Sequence, residues 1–160
     1  MRRRRPSIAL ALVVAALAAC AVAAAPAGAA APSKIDVSGI ITLDSNVDLS
    51  TQTLGVNSRT ESVAEVSFSG DVVGPATEPY STLFLSSGTI LQWGTGSFTG
   101  EVDGRSGTIS YVFHGDATTG GVITITGGTG DLAGAHGRIA YAPAPGTPPQ
   151  FTYEGTVTLP

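Results

Sequence analysis

From residue 35 onward, apolar and polar side chains alternate in short runs separated by Gly, Asn and Asp. Alternation of period two places one set of side chains on each face of an extended chain, the mark of a half-buried β-strand. No convincing helical stripe of period 3.6 interrupts it. Ile35–Leu43 opens the series, and Asn46–Leu54 reads as a short second strand or a loop. Thr60–Val73 carries Ala64, Val66, Phe68 and Val72 on one face and Glu61, Glu65, Ser67 and Ser69 on the other. Pro75 is expected to end that strand, because proline lacks the N–H a central strand needs. Further strands are predicted over Tyr80–Ser86, Ile90–Val102, Thr108–Gly115, Val122–Thr126, Gly134–Ala142 and Phe151–Leu159.

Turn residues fall between these runs: Ser87-Gly88, Asp103-Gly104 and Thr119-Gly120-Gly121, with Asp-Gly a strong hairpin signal. Gly94 and Gly96 predict a bend within Ile90–Val102. The total is eight strands, or nine if Asn46–Leu54 stands alone. Consecutive hairpins without helices predict an all-β antiparallel meander, and closure into a barrel removes its exposed edges. A sandwich is the alternative.

The first part of the chain breaks the pattern. Arg2–Arg5 precede an uncharged run of Ala, Leu and Val over Ile8–Ala25, which Pro26 and small residues close. This is the order of a secretory signal, with cleavage expected after Ala29. Residues 1–29 are read as a signal peptide, 30–34 as a linker and 35–160 as one domain. The run is mostly alanine, so removal is expected rather than retention as a membrane span. Leu17-Ala18-Ala19-Cys20 also resembles a lipobox, and acylation at Cys20 is the alternative to secretion. Twin-arginine export is hinted at by the arginines, although Pro6 follows them directly.

Removing Arg2–Arg5 changes the charge. Lys34, Arg59, Arg105 and Arg138 then face all twelve acids, for a side-chain balance of −8. Four scattered cations cannot neutralise a phosphate backbone, which argues against nucleic-acid binding and against anionic membrane surfaces. With Cys20 gone no cysteine is left, and about 130 residues suffice for one core without disulfides.

Candidate chemistry is sparse. Asp44-Ser45-Asn46-Val47-Asp48 opens like a calcium loop, but the sixth and twelfth places hold Leu49 and Gly55 instead of Gly and Glu. His114 and His136 are far apart and have no cysteine near them, a weak case for zinc. No metal site and no cofactor is expected. There is no Gly-x-Ser-x-Gly elbow, and Ser106 sits in the turn-like Gly104-Arg105-Ser106-Gly107. Glu61 and Glu65 could line a lumen or face water, and exposure is favoured because buried unpaired carboxylates are costly. Trp93, Tyr111 and Phe113, with Tyr80 and Tyr153, supply most of the aromatic content. In a small barrel the core and the ligand cavity occupy the same place. Trp93, Tyr111, Phe113, Glu61, Glu65 and His136 are therefore the candidate ligand-binding residues.

The run Gly127-Gly128-Thr129-Gly130-Asp131-Leu132-Ala133-Gly134-Ala135-His136-Gly137 is the most distinctive stretch. It resembles the glycine-rich turn of dirigent proteins and allene oxide cyclases. With Phe98-Thr99-Gly100, Gly104-Arg105-Ser106-Gly107 and the Tyr153 strand, the order over roughly residues 58–159 is similar to a bacterial family of small barrels of unassigned function. The resemblance implies a calycin-like, allene oxide cyclase-type eight-stranded barrel. One departure concerns Gly96, where that family's pattern carries a glutamate two places after its mid-chain glycine. The glycine run itself reads as structural: Gly128, Gly130 and Gly134 serve a tight turn, with Leu132 packing inward as its anchor.

Three functions are compatible with this reading. The first is a secreted barrel that binds a small apolar or amphipathic molecule. The second is a cyclase- or dirigent-like protein that confines a reactive substrate in one conformation. The third is an interaction protein with a filled interior and an exposed apolar patch. An inward-facing ionisable group in a deep lumen separates the second from the others; Glu61, Glu65 and His136 are its candidates. The sequence leaves the oligomeric state open.

Overall fold

The computed structural model describes residues 31–160, so the signal peptide expected over residues 1–29, with Cys20, lies outside the described residues. Eight strands follow in order: β1 (Ser33–Leu54), β2 (Asn57–Gly70), β3 (Val72–Phe84), β4 (Ile90–Val102), β5 (Arg105–Asp116), β6 (Gly120–Gly130), β7 (His136–Ala144) and β8 (Gln150–Leu159). Each pairs antiparallel with its neighbours in sequence, and β1 pairs with β8, so a single sheet closes on itself as a barrel. Closure leaves no long unpaired edge in the ring.

Strand boundaries depart from the expectation in three main places. The strand expected over Val122–Thr126 runs on to Gly130. Gly128 therefore pairs with Ile109 inside it, Gly130 ends it, and only Gly134 of the three turn glycines lies in the turn. Asn46–Leu54 is neither a separate strand nor a loop: it continues β1, which crosses two register shifts, between Leu43 and Ser45 and between Asp48 and Ser50. Such bulges bend a strand without ending it, so the count is eight. Pro75 does not end the preceding strand. The turn comes earlier, at Asp71, and both Pro75 and Pro79 lie within β3. They pair with Ser67 and Val63 of β2, while the β3–β4 ladder skips Gly74-Pro75 and Glu78-Pro79. A missing N–H is tolerated where no ladder bond is made.

Gly94 and Gly96 do not introduce a bulge either, since β4 pairs with β5 without a register shift. They give up volume instead. A Cβ at Gly96 would collide with the ring of Tyr111, and one at Gly94 would come within 2.6 Å of the Tyr80 Cβ. Tyr153 lies in the same way across Gly39. Its hydroxyl accepts the Val72 N–H at 3.0 Å and donates to the Ser69 carbonyl at 3.2 Å, tying β8 to the β2–β3 turn.

The inward faces do not fill the barrel evenly. At the end holding the first residue of β1 and the last of β8, Phe68 meets Phe98, Tyr111 and Tyr153 edge-on, with centroids 5.7, 6.3 and 5.7 Å apart. Edge-to-face contacts of this kind add to the burial itself. Below them Val102, Val157 and Leu159 are fully buried. Leu132, in the loop between β6 and β7, has no exposed surface and closes this end. Gly130 and Gly134 on either side of it hold φ of 64° and 81°, values that disfavour any residue with a Cβ. Only about 20 Å³ of space is left among these side chains, room for no more than about one water.

Candidate functional site

The opposite end is hollow. A cavity of about 100 Å³ opens there, lined by residues from all eight strands. Its apolar wall comes from Ile41 and Leu43 of β1, Phe113 of β5, Ile123 of β6, Tyr141 of β7 and Phe151 of β8. Glu78 and Tyr80 of β3 and Gln92 of β4 give it a polar side. Two aromatic pairs stand in the wall: Tyr80 and Phe113 with centroids 6.2 Å apart, and Tyr141 and Phe151 at 5.9 Å.

Glu78 marks the boundary between the two ends. The Tyr111 hydroxyl, reaching over Gly96 from the packed end, donates to Glu78 Oε1 at 2.6 Å. Burial lifts the Glu78 carboxyl above its ordinary value, and the Tyr111 hydrogen bond opposes that only in part. Tyr111 is raised in turn, first by its own burial and then by the Glu78 charge. The Tyr141 hydroxyl is pushed up to about 12 by the same two causes. Tyr80 is also raised, burial again being the largest cause.

A polar rim continues outward from the cavity along β1 and β2. The Tyr80 hydroxyl donates to Asn46 Oδ1 at 2.8 Å. Asp48 Oδ1 accepts from Ser62 Oγ at 2.7 Å and from Asn46 Nδ2 at 3.1 Å. Gln92 Nε2 donates to Thr82 Oγ1 at 3.3 Å.

Of the residues singled out from sequence, Tyr111 and Phe113 face the interior, and Phe113 lines the cavity. The other four lie on the outside of the barrel, the side already favoured from sequence for Glu61 and Glu65. Trp93 pairs with Ser81 and His114 on the outer face and is 38% exposed, with the Arg59 guanidinium 5.4 Å from its ring centre. Glu61 pairs with Arg59 at 2.6 Å and accepts from Ser81 Oγ at 2.7 Å. Glu65 accepts from Thr77 Oγ1 at 2.9 and 3.1 Å. His136 is exposed beside the packed end, its Nδ1 3.2 Å from the Gly134 carbonyl. The reason is parity: Ala64 and Val66 turn inward, so Glu61 and Glu65 on the same strand must turn outward.

Sequence reasoning missed Glu78, Gln92, Tyr141 and Phe151. The signal for Glu78 was Ala76-x-Glu78-x-Tyr80, three residues of one parity. The strand end expected at Pro75 leaves Ala76 and Glu78 outside the predicted strands. Among the described residues no three His, Cys, Asp or Glu side chains assemble a metal site, and no helix is long and apolar enough to cross a membrane.

A family model for DUF3224, a protein family of unknown function, matches residues 44–154. The chain belongs to this family. Among solved structures, this DUF3224 protein is similar to a DUF3224 protein of unknown function from Shewanella oneidensis MR-1. That match has 15% identity and a TM-score of 0.67 and covers 80% of this chain and 99% of the other. It is also similar, at 12% identity and a TM-score of 0.48, to a pterocarpan synthase dirigent protein, over 81% of this chain and 88% of that one. No curated protein matches the sequence. At such identities the likeness concerns the fold.

Proposed function

We propose that this DUF3224 protein is a secreted barrel of the allene oxide cyclase type that binds a small apolar or amphipathic molecule in the open end of its lumen. The supporting observation is the unequal filling of the interior: an aromatic-walled cavity of about 100 Å³ above a packed end with about 20 Å³ left. Cavities that take drug-sized ligands run to roughly 300–1,000 Å³, and one of about 150 Å³ binds benzene. The buried part of the ligand is therefore one ring or a short chain, with any larger remainder at the mouth. Isothermal calorimetry and thermal shift with benzyl alcohol and indole test this. Binding to the wild-type protein that is lost on Ile123→Trp, which fills the cavity, is the expected result. Failure of every single-ring probe to bind would refute it.

A second reading, a cyclase- or dirigent-like enzyme, is favoured by one observation: Glu78 is an ionisable group inside the lumen. A template that confines a flexible substrate must enclose its reacting segment. The small cavity volume makes binding the stronger reading.

Secretion is part of the same proposal. The N-terminal residue of extracellular protein from a host expressing the full chain tests it, Ala30 being expected. Release into the medium only when Cys20 is replaced by Ala would instead assign a lipid anchor.

A further inference from the structure

We propose that the open lumen selects small cationic amphiphiles, one apolar ring carrying an amine, with Glu78 as the counter-charge and the rings of Tyr80, Phe113, Tyr141 and Phe151 as the surrounding wall. This rests on the ligand-binding reading above and adds the chemical class of the ligand.

The argument begins with where the charges are. Four cations are found among the described residues, and none lines the cavity. Arg59 is engaged on the outer face by Glu61 and Trp93. Arg105 donates to the Pro160 carbonyl at 2.8 Å, beside the packed end. Arg138 is exposed on β7 next to the inward Ile139, and Lys34 is exposed on β1. The lumen thus holds one carboxyl group facing three phenols, Tyr80, Tyr111 and Tyr141, and no basic side chain. Asp48 on the β1 rim adds a second acid.

Such a site discriminates by charge. Its acid is desolvated without a cationic partner, so an incoming ammonium supplies what the protein withholds. Aromatic faces around the ammonium add cation–π attraction, which strengthens as water is excluded. A carboxylate ligand would meet Glu78 and Asp48 with no compensating cation. A neutral ligand gains the apolar wall alone. The geometry of Glu78 fits the role: Oε1 accepts from Tyr111, and among the described residues no hydrogen bond is made to Oε2.

Three probes sharing one ring and differing in the head group decide it: 2-phenylethylamine, 2-phenylethanol and phenylacetate, titrated calorimetrically into the protein. The amine should bind about tenfold or more tighter than the alcohol near neutral pH, as a charge-assisted contact requires, and phenylacetate weakest. Glu78→Gln should remove the amine's advantage over the alcohol. A second measurement needs no variant. Amine binding to the wild-type protein should release a proton just above the ordinary carboxylate range, seen in buffers of different ionisation enthalpy, and alcohol binding should release none.

Equal affinity for amine and alcohol would overturn the inference and leave the ligand-binding reading standing. So would an amine preference that survives in Glu78→Gln, or amine binding without proton linkage anywhere between about pH 4 and 7. Tighter binding of the alcohol, lost in Glu78→Gln, would assign Glu78 instead as a protonated donor to a neutral ligand. Absence of binding by all three would overturn the inference and the reading beneath it together.

Discussion

The two ends of the barrel are built from the same eight strands, yet one is solid and the other hollow. At the solid end inward positions hold Phe68, Phe98, Val102, Val157 and Leu159, and a loop supplies Leu132 as a plug. Glycines there give volume to neighbouring rings, so that Tyr153 crosses Gly39 and Tyr111 crosses Gly96. At the hollow end the strands still alternate, but polar groups replace part of the filling: Glu78, Tyr80 and Gln92 stand opposite Phe113, Tyr141 and Phe151. Among the described residues no loop side chain lines the cavity. A barrel of this size can be filled by its own side chains. Leaving one end open is thus a property of particular residues rather than of the architecture.

This contrast can be broken most directly by truncating a large ring at each end. Phe98→Ala should cost about 3–5 kcal/mol, the usual penalty for a fully buried phenylalanine. Phe151→Ala, at the partly exposed wall, should cost only about 1–2 kcal/mol. Urea unfolding of both variants checks this, and equal losses would mean that the hollow end carries as much of the fold as the solid one.

Next in size are two changes confined to the solid end. Gly130→Val forces a branched side chain into a backbone of φ 64°, with the Ser106 carbonyl 3.0 Å from the new Cβ. A loss of about 1–3 kcal/mol is expected. Tyr153→Phe leaves the buried Val72 N–H without its acceptor, at about 1–3 kcal/mol. Both should lower the melting temperature while probe affinity at the hollow end stays near wild type. Unchanged melting with abolished binding would make the glycine loop a functional element.

A pH series sharpens the boundary itself. Burial raises the Glu78 carboxyl above 4.5, so the native state keeps a proton that the unfolded chain has released. Stability should therefore fall as pH rises from about 4.5 through the raised value, by up to about 1.4 kcal/mol per pH unit. Glu78→Gln should remove that fall and be the more stable protein above the window, measured as urea midpoints across pH. A wild type whose stability rises through the window would show that Glu78 is held as a partnered charge.

The smallest effect is expected outside the lumen. Trp93→Ala removes an exposed ring under the Arg59 guanidinium, worth about 0.5–1 kcal/mol. Probe affinity should not change. A loss of binding in this variant would move the site from the cavity to the outer face.

Much of this molecule is legible without coordinates. Period-two alternation over Ile90–Val102, Thr108–Gly115 and Phe151–Leu159 fixes those strands, because a half-buried sheet demands it. The inward row Ile109, Tyr111 and Phe113 and the outward Glu61 and Glu65 follow from the same rule. The tertiary structure alone decided the rest. β1 passes two register shifts, so its parity beyond Leu43 cannot be carried forward from Ile35. β3 keeps two prolines because the β3–β4 ladder skips them, and a gap in pairing between distant segments leaves no local trace. For the same reason Glu78 falls between the predicted strands in the sequence and lines the lumen in the fold. Local chemistry sets which side chains alternate; the closing of the ring sets which of them meet, and how much space they leave.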